Sequence, residues 1–147
     1  MTEIKVRLEK PAAALSPNSV CGSTPSGVWT NHLIHIGAKK RARKKAVKAA
    51  QEVLRGGAPD SADFRPVEYV LVWYYYGTKR DADNCLASCK AYLDGCAEVF
   101  KVNDRDLECA GIRRVRDKAL RGFIELRFRD VLTQRDWEAE GGFCLEQ

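Results

Sequence analysis

The run Lys79-Arg80-Asp81-Ala82-Asp83-Asn84 sets two carboxylates two residues apart, directly after two cations. Acids that close repel one another and perturb each other's protonation unless a cation lies between them. Hard oxygen donors of this kind suit magnesium, which keeps several of its waters and bridges to phosphate oxygens rather than being caged by protein. A third acid, Asp104, stands in Val102-Asn103-Asp104-Arg105-Asp106, with Asp106 as a weaker substitute. It joins the first pair only if the intervening chain folds back. A plainer reading stands beside this one: Asp81 or Asp83 caps a helix, and Asp104 belongs to a polar loop.

Residues 3–9 alternate Ile4, Val6 and Leu8 with Lys5, Arg7 and Glu9, the pattern of a strand with one wet face. Residues 11–37 are rich in Pro, Ser, Gly and Asn, so a long connection without regular structure is expected there. Ala42, Ala46, Ala49, Ala50, Val53 and Leu54 then follow helical spacing, which predicts a helix over 38–55 stopped by Gly56-Gly57. Residues 67–76 are apolar or aromatic on both alternations apart from Glu68, as in a strand covered on both faces. A core role is expected for Trp73 and most of the tyrosines, with base stacking as the alternative.

From residue 82 to about 99 the period becomes helical. Ala82, Cys85, Leu86, Cys89, Leu93, Cys96 and Ala97 line one side, and Asp83, Ala87, Lys90 and Asp94 form a stripe on the other. Strands are expected at 108–116 and 119–129, with Asp117-Lys118 as the turn between them. Four strands and two main helices make one α+β domain over residues 1–130, its mixed four-stranded sheet packed with the helices. A C-terminal helix and tail are expected over residues 131–147.

The formal charge of +5 is modest, but it is clustered. Lys39, Lys40, Arg41, Arg43, Lys44, Lys45 and Lys48 fall within ten residues, with only Glu52 nearby to balance them. A solvated helix face is the ordinary explanation of such a run. The density of this one points to a polyanion partner, with Lys79 and Arg80 extending the same surface. No stretch approaches a membrane span, and the N-terminal residues lack the apolar core of a signal peptide, so a cytoplasmic protein with no membrane partner is expected. The six cysteines include C-x3-C and C-x6-C spacings without paired C-x2-C knuckles, so they are read as small core residues, with zinc as the alternative. His32 and His35 are expected on a surface loop.

Asp81-Ala82-Asp83-Asn84, followed by Lys90, Asp94-Gly95 and Asn103-Asp104, resembles the D-x-D-N … K … D-G … D-D signature of RusA-type Holliday junction resolvases of phages and prophages. Leu15-Ser16-Pro17-Asn18-Ser19 and the basic helix resemble that family's N-terminal half, and the likeness spans most of residues 4–128. It implies a homodimeric, Mg2+-dependent, phage-encoded, nucleoid-associated endonuclease that resolves four-way DNA junctions by paired nicks. Asp81, Asp83 and Asp104 would hold the metal, Lys90 would offset phosphate charge, and Asn84 and Asn18 would support the site. Two departures stand out: Ala87 occupies the position where the family pattern has its lysine, and Asn103 replaces an aspartate. A binding protein without catalysis, and a nuclease for flaps or forks, are the competing readings. Candidate base contacts are Asn18, Asn31, His32 and His35.

Overall fold

A computed structural model of the chain describes residues 2–16, 27–56 and 64–130, with side chains described from residue 33 onward in the second segment. Asn18 and residues 131–147, including the expected C-terminal helix, lie outside the described residues. The strands are β1 (Glu3–Glu9), β2 (Glu68–Tyr75), β3 (Glu108–Arg116) and β4 (Phe123–Arg129). The helices are α1 (Gly27–Arg55), α2 (Ala82–Ser88) and α3 (Lys90–Phe100), with short 3-10 turns at Ala13–Leu15 and Asp104–Asp106.

Four strands form one mixed sheet in the order β1-β4-β2-β3. β4 runs antiparallel to both β1 and β2, while β2 and β3 are parallel. The parallel pair requires a crossover, and α2 and α3 provide it, so the chain is a single α+β domain. The alternation in β1 buries Ile4, Val6 and Leu8 beneath the helices, beside Leu71, Ile124, Leu126 and Phe128. Phe100 anchors this layer, its ring 5.3 Å from Phe64 and 5.0 Å from Phe128. Each such side chain contributes about 1.5–3 kcal/mol by leaving water.

The opposite face of β2 carries a smaller cluster of Val70, Val72 and Tyr74, with Leu120 packed against it. Charge pairs complete this face. Glu125 is buried and accepts from Arg127 Nε at 2.7 Å and Arg7 Nη2 at 3.3 Å. The strand register sets Arg7 directly opposite Glu125, and Arg129 opposite both Glu3 and Glu68.

Three expectations change. The long connection expected through residue 37 ends before α1, which begins at Gly27 and carries Asn31, His32 and His35 within it. Leu33, Ile34 and Ile36 in this first part of α1 are exposed, so no buried stripe announces the helix. His35 Nδ1 lies 2.9 Å from the Ala14 carbonyl, tying α1 to the turn after β1. The single helix expected from residue 82 is broken at Cys89, whose N–H turns to the Leu86 carbonyl at 3.1 Å. The last strand starts at Phe123, because Asp117 Oδ1 accepts from Ala119 and Leu120 N–H and holds a turn before it.

Helix α1 crosses α3 at close range because small residues meet there. Ala38, Ala42, Ala46 and Ala50 recur every four residues and are buried. Gly95 sits against them so closely that a Cβ would lie 2.6 Å from the Arg43 carbonyl and 2.9 Å from Ala46 Cβ. The cysteines in the crossover serve as core: Cys85, Cys89 and Cys96 are buried free thiols. Burial pushes the Cys96 thiol up to about 12.

Candidate functional site

Lys101 controls how the chain returns from α3. It adopts the left-handed conformation (φ 57°) and caps the helix, its N–H reaching the Ala97 and Glu98 carbonyls. Asn103 then accepts the Arg105 N–H through its side chain at 3.1 Å and starts the 3-10 turn. Asp104 is thereby returned to the first turns of α3, where the Lys90 ammonium contacts it and also lies 3.1 Å from Asp94 Oδ1. The lysine is held above its ordinary value chiefly by its hydrogen bond to Asp104, against a smaller opposing effect of burial. The same bond holds the Asp104 carboxyl below its ordinary value.

Asp83, Lys90 and Asp104 share the wall of one cavity of about 450 Å³, floored by Tyr69, Leu93, Leu107 and Leu126. A neighbouring cavity of about 460 Å³ is lined by Asp104, Asp94, Asn103, Glu98 and Arg43. A third, of about 530 Å³, runs along α1 between Lys40, Arg43, Lys44, Lys48 and Glu98. Asp104 belongs to the first two, and Arg43 and Glu98 to the last two. The three therefore adjoin in a row from the cations of α1 to the carboxylates, meeting at the Arg43–Glu98 pair and at Asp104.

All seven cations of the α1 run are exposed, as a helix with its alanines turned inward requires. Among the described residues, Arg43 pairs with Glu98 at 3.0 Å and Lys45 with Glu9 at 3.5 Å; the other five make no such pair. Their positive potential faces outward with little compensation. Lys79 and Arg80 are exposed as well.

The three carboxylates expected to converge do not gather as a trio: among the described residues no group of three or more His, Cys, Asp or Glu side chains is placed to hold a metal ion. Asp83 and Asp104 open on one cavity, and Asp81 is not part of its wall. Asp81 stands at the N-cap of α2 with extended backbone, and its side chain makes no capping hydrogen bond. Its neighbour Arg80 is fixed from the sheet side, where Arg114 Nη1 donates to the Arg80 carbonyl at 3.1 Å. Asp83 accepts the Asn84 N–H at 3.0 Å, and the Asn84 carbonyl accepts the Ser88 hydroxyl at 2.8 Å. Asp106 is exposed and lines none of the three cavities.

Two hard-oxygen donors on one cavity, the exposed Asp83 and the partly buried Asp104, fit an ion that takes one or two protein carboxylates and fills its remaining positions with water and phosphate oxygens. Asp94 is the residue sequence reasoning left without a role. Its place one helical turn beyond Lys90 was the available signal. Also unforeseen is a second basic surface at the end of β2, built from Arg114, Arg116 and Lys118, which the parallel pairing brings beside Trp73 and Tyr76.

Compared with known proteins, the chain finds no match among family models and none among curated sequences. No described helix is long and apolar enough to cross a membrane.

Proposed function

We propose that this chain is a Mg2+-dependent, structure-specific DNA endonuclease that resolves four-way junctions by paired nicks, acting as a homodimer. The observation that carries the reading is the row of adjoining cavities. A polyanionic strand gripped by Lys40, Lys44 and Lys48 is led past Arg43 to a cavity where two carboxylates and one ammonium meet. Cations alone would account for binding. Carboxylates at the end of a phosphate track oppose binding unless they serve a cation that the phosphate shares.

Magnesium, when bound, would polarise the scissile phosphate and lower the pKa of an attacking water. Asp83 and Asp104 are the groups to hold it. Asp94 fixes the Lys90 ammonium beside Asp104, so a positive charge is already in place to offset charge developing on the phosphate. The α1 cations supply contacts that do not depend on sequence and weaken as salt rises. A two-fold dimer would present two such rows of cavities to the two equivalent strands of a junction. The motif resemblance to RusA-type resolvases supports the same reading.

The test uses a labelled four-way junction, a fork and a linear duplex, each with and without magnesium. Wild-type protein is expected to nick the junction in magnesium, while Asp83→Asn and Asp104→Asn bind it with similar affinity and cut it at least ~100-fold more slowly. Binding without cutting by wild type in magnesium would leave a DNA-binding protein only. Equal rates on all three substrates would remove the junction preference.

A further inference from the structure

Tyr76 stands where β2 leaves the sheet, and it is 47% exposed. Two cations lie over it: the Arg116 guanidinium at 5.2 Å and the Lys118 ammonium at 5.8 Å from the centroid. Trp73 offers a contrast. It also lies under two cations, Lys10 at 5.1 Å and Arg80 at 5.7 Å, but it is only 4% exposed and belongs to the core. The nearby acid, Asp117, spends its carboxylate on the Ala119 and Leu120 amides of the turn. Tyr76 is therefore a half-exposed aromatic residue among positive charges, five residues before Asp81.

We infer that Tyr76, with Arg116 and Lys118, is a stacking platform for an unpaired nucleotide, so that the substrate strand presents single-stranded DNA to this end of the sheet. The inference rests on the nucleic-acid reading above and deepens it by naming the form of strand the protein takes. A ring held among cations matches both parts of such a strand: the base gains a π surface, and the flanking phosphates gain Arg116 and Lys118. Bases inside a duplex already have both faces stacked on neighbours, so the platform discriminates by whether a base is paired. Readout by stacking tolerates any base, so the discrimination is one of structure rather than of sequence.

The experiment measures affinity by fluorescence anisotropy for a single-stranded oligonucleotide of about a dozen nucleotides and for a fully paired duplex. The full chain is used with magnesium omitted, so that no cutting intervenes. Tyr76→Ala is expected to bind the single strand about tenfold more weakly, with duplex affinity within about twofold of wild type. Tyr76→Phe and Tyr76→Trp should restore single-strand binding, because the ring rather than the hydroxyl does the work. The salt slope of single-strand binding should stay constant across the series, since no charge is removed. Equal losses on single strand and duplex, or no loss on either, would overturn the platform and leave the proposed function intact. Failure of the wild-type protein to bind DNA in any form would remove both. Melting temperatures of the variants confirm that each is folded.

Discussion

Gly95→Ala tests the close approach that brings the basic helix to the acidic site. The added methyl would meet the Arg43 carbonyl at 2.6 Å, and ordinary contact begins at 3.4 Å, so α1 and α3 must part by about 0.8 Å at their crossing. A backbone carbonyl inside a 29-residue helix cannot rotate aside as a side chain does. Parting the helices also loosens the packing of Ala42 and Ala46 against α3. Overpacking of this kind costs about 1–3 kcal/mol. The substitution also gains about 1 kcal/mol of helix propensity. Because the obstacle is main chain, the steric cost belongs at the upper end and wins, leaving a net loss of about 1–2 kcal/mol. In a chain of this size that lowers the melting temperature by roughly 3–8 °C. Thermal unfolding followed by circular dichroism measures it, with Gly37→Ala as the internal control. There the new Cβ meets only the movable Arg41 guanidinium at 3.2 Å, and stability should rise by up to about 1 kcal/mol. A Gly95→Ala variant that melts at or above wild type would refute the reasoning.

Other outcomes follow from particular contacts. Glu125→Gln removes the carboxylate that Arg7 and Arg127 share and should cost about 1 kcal/mol in urea unfolding, the sum being limited because Arg7 is half exposed. Replacing Lys44 and Lys48 together with alanine should weaken binding to all DNA alike and reduce the salt slope by about two; an unchanged slope would remove α1 from the interface. Cys96 carries a pKa raised to about 12, well above an unfolded thiol's, so its contribution to stability is whole at neutral pH and is lost as pH climbs from ~8.5 toward that value. Stability measured across this alkaline range should therefore fall less in Cys96→Ala than in wild type. Peptide mapping after brief alkylation at neutral pH should find Cys109 modified and Cys85, Cys89 and Cys96 protected.

Much of the sheet was legible because burial on one face writes itself into alternation: β1 falls where the pattern set it, the alternating run of residues 124–128 lies in β4, and the doubly covered run became the interior strand β2. Helix α1 was legible only from Ala38 onward, where its alanines begin to be buried. Before that point Leu33, Ile34 and Ile36 face outward, and periodicity has nothing to report. The candidate site was half legible. Asp83 and Lys90 share a helical stripe, so local spacing joins them, and the motif drew attention to Asp104. Where Asp104 would land depended on the left-handed Lys101 and on a return that no local pattern encodes. For the same reason it met Lys90 and Asp94 rather than Asp81. Arg114, Arg116 and Lys118 escaped notice because only the parallel pairing of β2 and β3, across the whole crossover, brings them to the residues around Asp81.

The register that sets Glu3 opposite Arg129 also constrains how the molecule can be made. At ~5–20 residues per second, the N-terminal strand waits roughly 6–25 s on the ribosome before its partner has been synthesised. During that delay it is a lone ribbon with an apolar face and unpaired backbone edges, open to pairing with another nascent copy. Glu3, Lys5, Arg7 and Glu9 share its wet side and their charges cancel, so like-charge repulsion does little to discourage such encounters. A nascent chain released before Phe123 would lack the strand that Ile4, Val6 and Leu8 pair beside, and pulse-labelled translation should find such fragments in aggregates while the finished chain stays dispersed.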